Sequence, residues 1–298
     1  MIDALIIGGG PAGVSAALYT TRAGMKTTII YKDNGALEKA EKVDNFYGSA
    51  GITGNALVEA GLHQAADIGA DIVKGEAIKI IFEISDNKPV FIVETADNAF
   101  TTRALLLATG TNRPMPPIPG LADYEGKGVS HCAICDAFFF KGKNVAVLGS
   151  GSYALSEAKE LLPLVNSLTI LTNGNEPEVT FPPEAIIRNE KIREVQGETR
   201  LTGVVLDTPP GMPTTDTDES FINLNGLFIA QGTAGATELA RKLGALVETN
   251  AVIVDKNMQT NIPGLWAAGD CTGGMKQIAK AVYEGAVAGT DMVSYLRG

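Results

Sequence analysis

Apolar residues in this chain recur in two patterns. Short apolar runs end at glycines, and each is followed by a stretch with apolar residues at helical spacing. Residues 3–8, DALIIG, are the first run and lead into Gly8-Gly9-Gly10-Pro11-Ala12-Gly13. Val14, Ala17, Leu18 and Thr21 then keep helical spacing over Ala12–Ala23, Gly24 stops the helix, and KTTIIY is the next strand. This is a βαβ opening unit. A polar loop over 32–50, a helix over 55–69 and strands at 77–84, 90–95 and 104–108 complete a first block.

Residues 111–120, TNRPMPPIPG, hold four prolines and predict a stiff connector. A second unit begins at NVAVLG (144–149), continues through a helix at 152–162, and reaches a strand at Leu168–Leu171. Residues 207–220 read as an exposed polar loop, and 226–233 as a further strand. A helix at 236–243, a strand at 251–254, the run GLWAAGD (264–270) and a helix over about 275–296 close the chain. The alternation predicts an α/β protein with two Rossmann-like, three-layer ββα dinucleotide-binding domains, the second inserted into the first.

With 298 residues the chain is long enough for two full cores. Its net charge of −10 makes nucleic acid and anionic membranes poor partners. The charge is uneven: residues 114–240 carry 8 Lys+Arg and 16 Asp+Glu, a net of −8. No apolar run is long enough to span a bilayer and no signal peptide is readable, so the expected location is cytoplasmic.

Gly8-x-Gly10-x-x-Gly13 sits between a strand and a helix, where glycines permit a tight turn and close approach to a pyrophosphate. The acid that would grip a ribose is missing, because Tyr31, Lys32 and Asp33 stand near its place. Asp270, at the end of an apolar strand, could accept from a ribitol hydroxyl or serve as a plain helix cap.

HCAICD (131–136) holds Cys132 and Cys135. A zinc site would need four ligands, and only Cys271, His131 and His63 remain as soft candidates, with no second C-x-x-C. The redox reading fits better, since this spacing allows a disulfide to close and reopen. Asp136 could exchange the proton that thiol chemistry needs, or be a turn carboxylate. Cys271 has no sequence partner and reads as buried near a cofactor.

Gly8–Gly13, VDNFYG (43–48), LLLATG (105–110), HCAICD and TNIPGLWAAGD (260–270), in this order, resemble the low-molecular-weight flavoprotein thioredoxin reductases. The resemblance implies an FAD domain of residues 1–112 plus 241–298, a smaller NAD(P)H-binding-like domain over 113–240, and a homodimer. It implies that Gly8, Gly10, Pro11, Ala12, Gly13, Asn45, Thr109, Gly110, Gly269, Asp270, Lys276, Gln277 and Ile278 line FAD. It further implies Cys135 as the thiol facing the flavin, Cys132 as the thiol that attacks thioredoxin, and Asp136 as proton donor.

The departures concern the electron donor. Relatives that use NADPH carry His-Arg-Arg at the end of the second unit's second strand; here those positions are Thr172, Asn173 and Gly174. Glu176 and Glu178 follow, and would repel a 2′-phosphate that Arg or Lys normally holds. Gly149-x-Gly151-x-x-Ala154 can persist for helix–strand packing alone. The pattern resembles the ferredoxin-dependent flavin thioredoxin reductases, with ferredoxin as donor and thioredoxin as acceptor. An atypical nucleotide-linked reductase and a flavin dithiol oxidase using oxygen are the alternatives. Lys32, Lys39, Lys42, Lys276 and Lys280 are the candidates for a basic ferredoxin-docking patch.

Overall fold

The computed structural model describes all residues except 87, 111–114, 208–219 and 232–234, and the side chains of 134 and 135. The described residues form six α-helices: α1 (Pro11–Arg22), α2 (Gly54–Asp67), α3 (Ala133–Asp136), α4 (Ser152–Leu161), α5 (Ala236–Lys242) and α6 (Ile278–Arg297). The chain divides into two compact units. One comprises Met1–Asn112 with Gly235–Gly298, and the other Arg113–Ala234.

The first unit is built on a parallel core of strands. Asp71–Lys74, Thr27–Tyr31, Ile2–Ile7, Ala99–Leu107 and Leu265–Ala267 lie side by side, each parallel to its neighbour. The amino-terminal half of Ala99–Leu107 also pairs antiparallel with Lys88–Glu94, which pairs with Lys79–Ser85. The central strands are mostly apolar, and Ala4–Ile7 and Thr27–Ile30 are buried on both faces, as a covered parallel sheet requires. Helix α1 buries Ala12, Val14, Ala16 and Ala17 in a core shared with Trp266, Ala288 and Met292. Close helix packing depends on small residues. A side chain at Gly285 of α6 would collide with the Ala12 carbonyl oxygen, and one at Gly289 would meet the Ala16 carbonyl oxygen at 2.6 Å. Ser15 Oγ adds a 2.7 Å bond to the Val282 carbonyl. Trp266 is fully buried, stacks edge-on against Tyr295, and donates its Nε1–H to Asp291 at 2.9 Å.

The second unit has a five-stranded parallel sheet ordered Ile186–Arg188, Ser167–Leu171, Asn144–Leu148, Gly226–Ile229, Val129–Ser130. A three-stranded antiparallel sheet of Ile192–Gly197, Leu201–Leu206 and Phe221–Asn223 shares its core. The α/β class with Rossmann-like units is thus what the structure has.

Sequence reasoning missed Asp71–Lys74 and this antiparallel sheet. The former is four residues exposed at both ends, and the latter's alternation is broken by register shifts near Ile192 and Gly197. The closing helix begins at Ile278, so Lys276 and Gln277 precede it. The strand expected over 226–233 ends at Ile229, and that over 251–254 at Val252. Most of the polar loop 207–220 and part of the connector 111–120 lie outside the described residues.

Candidate functional site

In the first unit the glycine turn opens directly from a strand end. Gly8 has φ +121°, and any side chain there would strike the Ala108 carbonyl; one at Gly13 would strike the Gly8 carbonyl. Packing therefore demands both glycines. Gly10 differs: a side chain there would meet nothing within 4 Å. Pro11 is the first residue of α1, Ala12 and Gly13 follow it, and no side chain caps this helix start. The first-turn N–H groups of a helix have no intrahelical partner and carry its positive end. The surface above Gly10 is thus open and positive.

Thr109 and Gly110 follow the neighbouring strand, and Gly269 and Asp270 follow the next one. The turn at Gly8–Gly13 and these two pairs therefore share the carboxyl edge of one sheet, where open α/β folds take ligands. Thr109 Oγ1 is buried with no hydrogen-bond partner, the mark of a group awaiting one. Asn45 and Gln277, 232 residues apart, meet through a 2.9 Å bond from Asn45 Nδ2 to Gln277 Oε1. Gln277 holds the N-cap position of α6 without a side-chain capping bond, Ile278 starts the helix, and Lys276 is exposed just before it.

Beneath Gly269 lies a polar knot that sequence reasoning missed. Glu284, nearly buried, accepts from Gly269 N–H at 2.8 Å and from Thr272 Oγ1 at 2.8 Å. Lys280 Nζ lies 2.9 Å from Glu284 Oε1 and donates to the Gly269 carbonyl at 2.9 Å. Lys280 is therefore committed to an internal ion pair and is withdrawn as a docking cation. The knot's one local trace in the sequence is the four-residue spacing of Lys280 and Glu284 on α6, which does not reveal the Gly269 backbone they hold. Asp270 opens the 3₁₀ turn Asp270–Thr272 that the knot holds. Cys271 beside it is free and buried, and burial, then the Glu284 charge, pushes its thiol up to about 12. It is no nucleophile.

In the second unit Cys132 is disulfide-bonded and almost fully buried, directly before α3. Cys135 lies within α3, its side chain outside the described residues. Ser130 Oγ donates to Asp136 Oδ2 at 2.6 Å and accepts the Cys132 N–H at 3.1 Å. Glu157, buried on α4, accepts the Ala133 N–H at 2.7 Å. Tyr153 Oη donates to the His131 carbonyl at 3.2 Å. Cys132 and Asp136 are thus brought together. Ser130 joins them locally, while Tyr153 and Glu157 support the segment from 22 and 24 residues away, distances that local patterns do not reveal.

The second glycine turn is built differently above its helix. A side chain at Gly149 would strike the Ala230 carbonyl, so packing alone requires that glycine. At the end of Ser167–Leu171 the side chains turn inward. Thr172 is fully buried and its Oγ1 donates to the Asn175 carbonyl at 2.5 Å. Asn173, at φ +52°, accepts the Ile192 N–H at 2.8 Å. Arg188 is held by Glu190, with Nη2 2.8 Å from Oε1, and the guanidinium keeps the Glu190 carboxyl below its usual range.

No helix among the described residues is long and apolar enough to cross a membrane. The profile of the "pyridine nucleotide-disulphide oxidoreductase" family matches residues 2–285. A thioredoxin reductase of Aquifex aeolicus is 32% identical over 99% of this chain and 94% of its own length. The crystal structure of the atypical thioredoxin reductase TRi from Desulfovibrio vulgaris Hildenborough matches with TM-score 0.85 and 36% identity, over 100% of this chain and 98% of that one. A ferredoxin-flavin thioredoxin reductase from Clostridium acetobutylicum matches with TM-score 0.68 and 27% identity, over 99% of this chain and 98% of that one. The open turn at Gly10, the uncapped start of α1 and the orphaned Thr109 hydroxyl fit the cofactor of these enzymes. The chain belongs to the pyridine nucleotide-disulphide oxidoreductases and, within them, to the thioredoxin reductases: it is a flavoprotein disulfide oxidoreductase whose cofactor is FAD.

Proposed function

We propose that the protein is a cytoplasmic, homodimeric thioredoxin reductase that draws its electrons from reduced ferredoxin instead of NAD(P)H. The observation that carries the donor reading is the end of Ser167–Leu171. Thr172 and Asn173 occupy the clamp positions, and both are spent on internal hydrogen bonds. Neither residue carries the cationic group that holds a 2′-phosphate, the task of Arg or Lys.

In this reading residues 1–112 and 241–298 hold FAD, and 113–240 carry the Cys132–Cys135 disulfide. Gly8, Gly10, Pro11, Ala12 and Gly13 face the pyrophosphate, and the α1 N-terminus balances its charge. Asp270 takes a ribitol hydroxyl, with Asn45, Thr109, Gly110, Gly269, Lys276, Gln277 and Ile278 completing the wall. Bound FAD supplies the junction between one-electron donors and two-electron disulfide chemistry. Two electrons and two protons open the Cys132–Cys135 disulfide to a dithiol. The Cys132 thiolate then attacks one sulfur of the thioredoxin disulfide, and the departing thioredoxin thiolate takes a proton. Cys135 next attacks the mixed disulfide, releasing reduced thioredoxin and re-forming the Cys132–Cys135 bond. Asp136, held by Ser130, manages the proton. The cysteine pair must meet FAD in one step and thioredoxin in another, which calls for a movement of the small domain between the two.

One feature favours the nucleotide-linked alternative: the Lys191 stem crosses Gly174, placing a cation near the strand end. Anaerobic reduction of the yellow protein decides between the two. Reduced ferredoxin is expected to bleach the flavin at turnover rates, and NADPH and NADH only slowly; rapid bleaching by either nucleotide overturns the donor reading. Full thioredoxin turnover by Cys135→Ser would overturn the disulfide relay.

A further inference from the structure

The two glycine turns differ in what lies over them. Above Gly10 a side chain would meet nothing within 4 Å. Above Gly151, the matching position of the second turn, it would meet Glu178 Oε2 at 3.0 Å and Glu178 Cδ at 3.6 Å, and only Glu178 atoms come near. Glu178 is fastened there at two points, once through its carboxylate and once through its backbone. Ser150 Oγ donates to Glu178 Oε1 at 3.0 Å, and the Glu178 N–H donates to the Ser150 carbonyl at 2.9 Å. Helix α4 starts at this point, and no side chain from Gly151 itself caps it.

We propose that Glu178 is the specificity-determining residue of the second unit, a tethered anion resting where a dinucleotide's pyrophosphate would go. The place is the one such a ligand needs: the glycine turn at the carboxyl end of Asn144–Leu148, before an uncapped ten-residue helix. A carboxylate satisfies the same demand for negative charge that a phosphate would. Because it is carried on the chain, its effective concentration exceeds that of a free competitor. It excludes the ligand twice, by filling the space above Gly151 and by repelling an incoming anion. Gly151 thereby gains a purpose unrelated to nucleotides, since its missing side chain is what lets the Glu178 carboxylate come so close. This role rests on the donor reading for its catalytic meaning, but its physical claim concerns the phosphate turn and not the ribose end.

The test measures binding of NADH, NADPH and inorganic pyrophosphate by calorimetry to the flavin-loaded protein and to Glu178→Gly and Glu178→Gln. Glu178 is exposed, so both variants are expected to keep their fold, checked by flavin content and melting temperature. The unaltered chain is expected to bind all three no tighter than about 1 mM. Both variants are expected to bind pyrophosphate and NADH at least about tenfold tighter, Glu178→Gly more so because it also clears the space. Unchanged affinity for all three ligands in both variants overturns the plug and leaves the donor reading standing on Thr172 and Asn173. Rapid flavin bleaching of the unaltered chain by NADH or NADPH overturns the donor reading, whatever the variants do.

Discussion

Ser130 Oγ donates a 2.6 Å hydrogen bond to Asp136 Oδ2 while its oxygen accepts the Cys132 N–H, so one hydroxyl joins the carboxylate to the cysteine beside it. Its single proton goes to Asp136, because the other acceptor in reach, the Cys132 carbonyl, is 3.5 Å away. Charge-assisted bonds of this length are the stronger kind. Ser130→Ala is therefore expected to slow thioredoxin reduction about tenfold with flavin content unchanged, and Ser130→Thr to restore most of the loss. Asp136→Asn is expected to cost about a hundredfold. Steady-state turnover with reduced ferredoxin checks all three; full activity in Ser130→Ala removes the positioning role.

Thr109 gives a prediction with opposite signs in two states. Its buried hydroxyl lacks a partner in the protein alone. Thr109→Val removes that unpaired group, so the flavin-free chain is expected to be unchanged or about 1 kcal/mol more stable. FAD affinity is expected to fall about tenfold, because the bond the hydroxyl awaits is lost. Denaturant melts of the flavin-free chain and fluorescence titration with FAD separate the effects. Equal FAD affinity would place Thr109 outside the flavin wall.

The contact between α1 and α6 leaves no room at Gly285. Gly285→Ala drives a methyl group into the Ala12 carbonyl at the start of α1. The expected cost is about 1–3 kcal/mol, the range for overpacking. The displacement also moves the glycine turn, so flavin content after purification is expected to drop. A melt within one degree of the unaltered protein would contradict the packing argument.

Cys271 makes stability depend on alkaline pH. Its thiol is raised from an ordinary 9.0 to about 12 in the folded chain. A group with a raised folded value stabilises fully below its unfolded value and loses that contribution as pH climbs through the folded one. The loss therefore runs from about pH 9 to about 12, reaching about 4 kcal/mol at most. Cys271→Ala is expected to be less stable at pH 7 from its small cavity, yet to lose less stability between pH 8.5 and 10.5. Parallel pH slopes in the two proteins would refute the linkage.

What the sequence made legible is local. The glycine turn at Gly8–Gly13 and the helix after it follow from spacing, because adjacent residues settle them. Cys132 and Asp136 are close in the chain, and Ser130 bonds both. The knot of Lys280 and Glu284 was not legible, because its target is the backbone of Gly269, reached only after a turn and a helix have folded back. The same holds for Glu157, whose carboxylate reaches Ala133 from a helix 24 residues on. Glu178 stood in the sequence as a charge that would repel a phosphate; its position over Gly151 is a tertiary fact.

Trp266 is the chain's one tryptophan, and it sits in the core of the first unit beside Tyr295. Indole emission therefore comes from that unit alone, while the unit carrying the cysteines is silent at those wavelengths. Fluorescence and far-ultraviolet dichroism followed in one denaturant titration would report different parts of the molecule. Coincident curves would mean that the units unfold as one, and separated curves would measure how far each stands on its own.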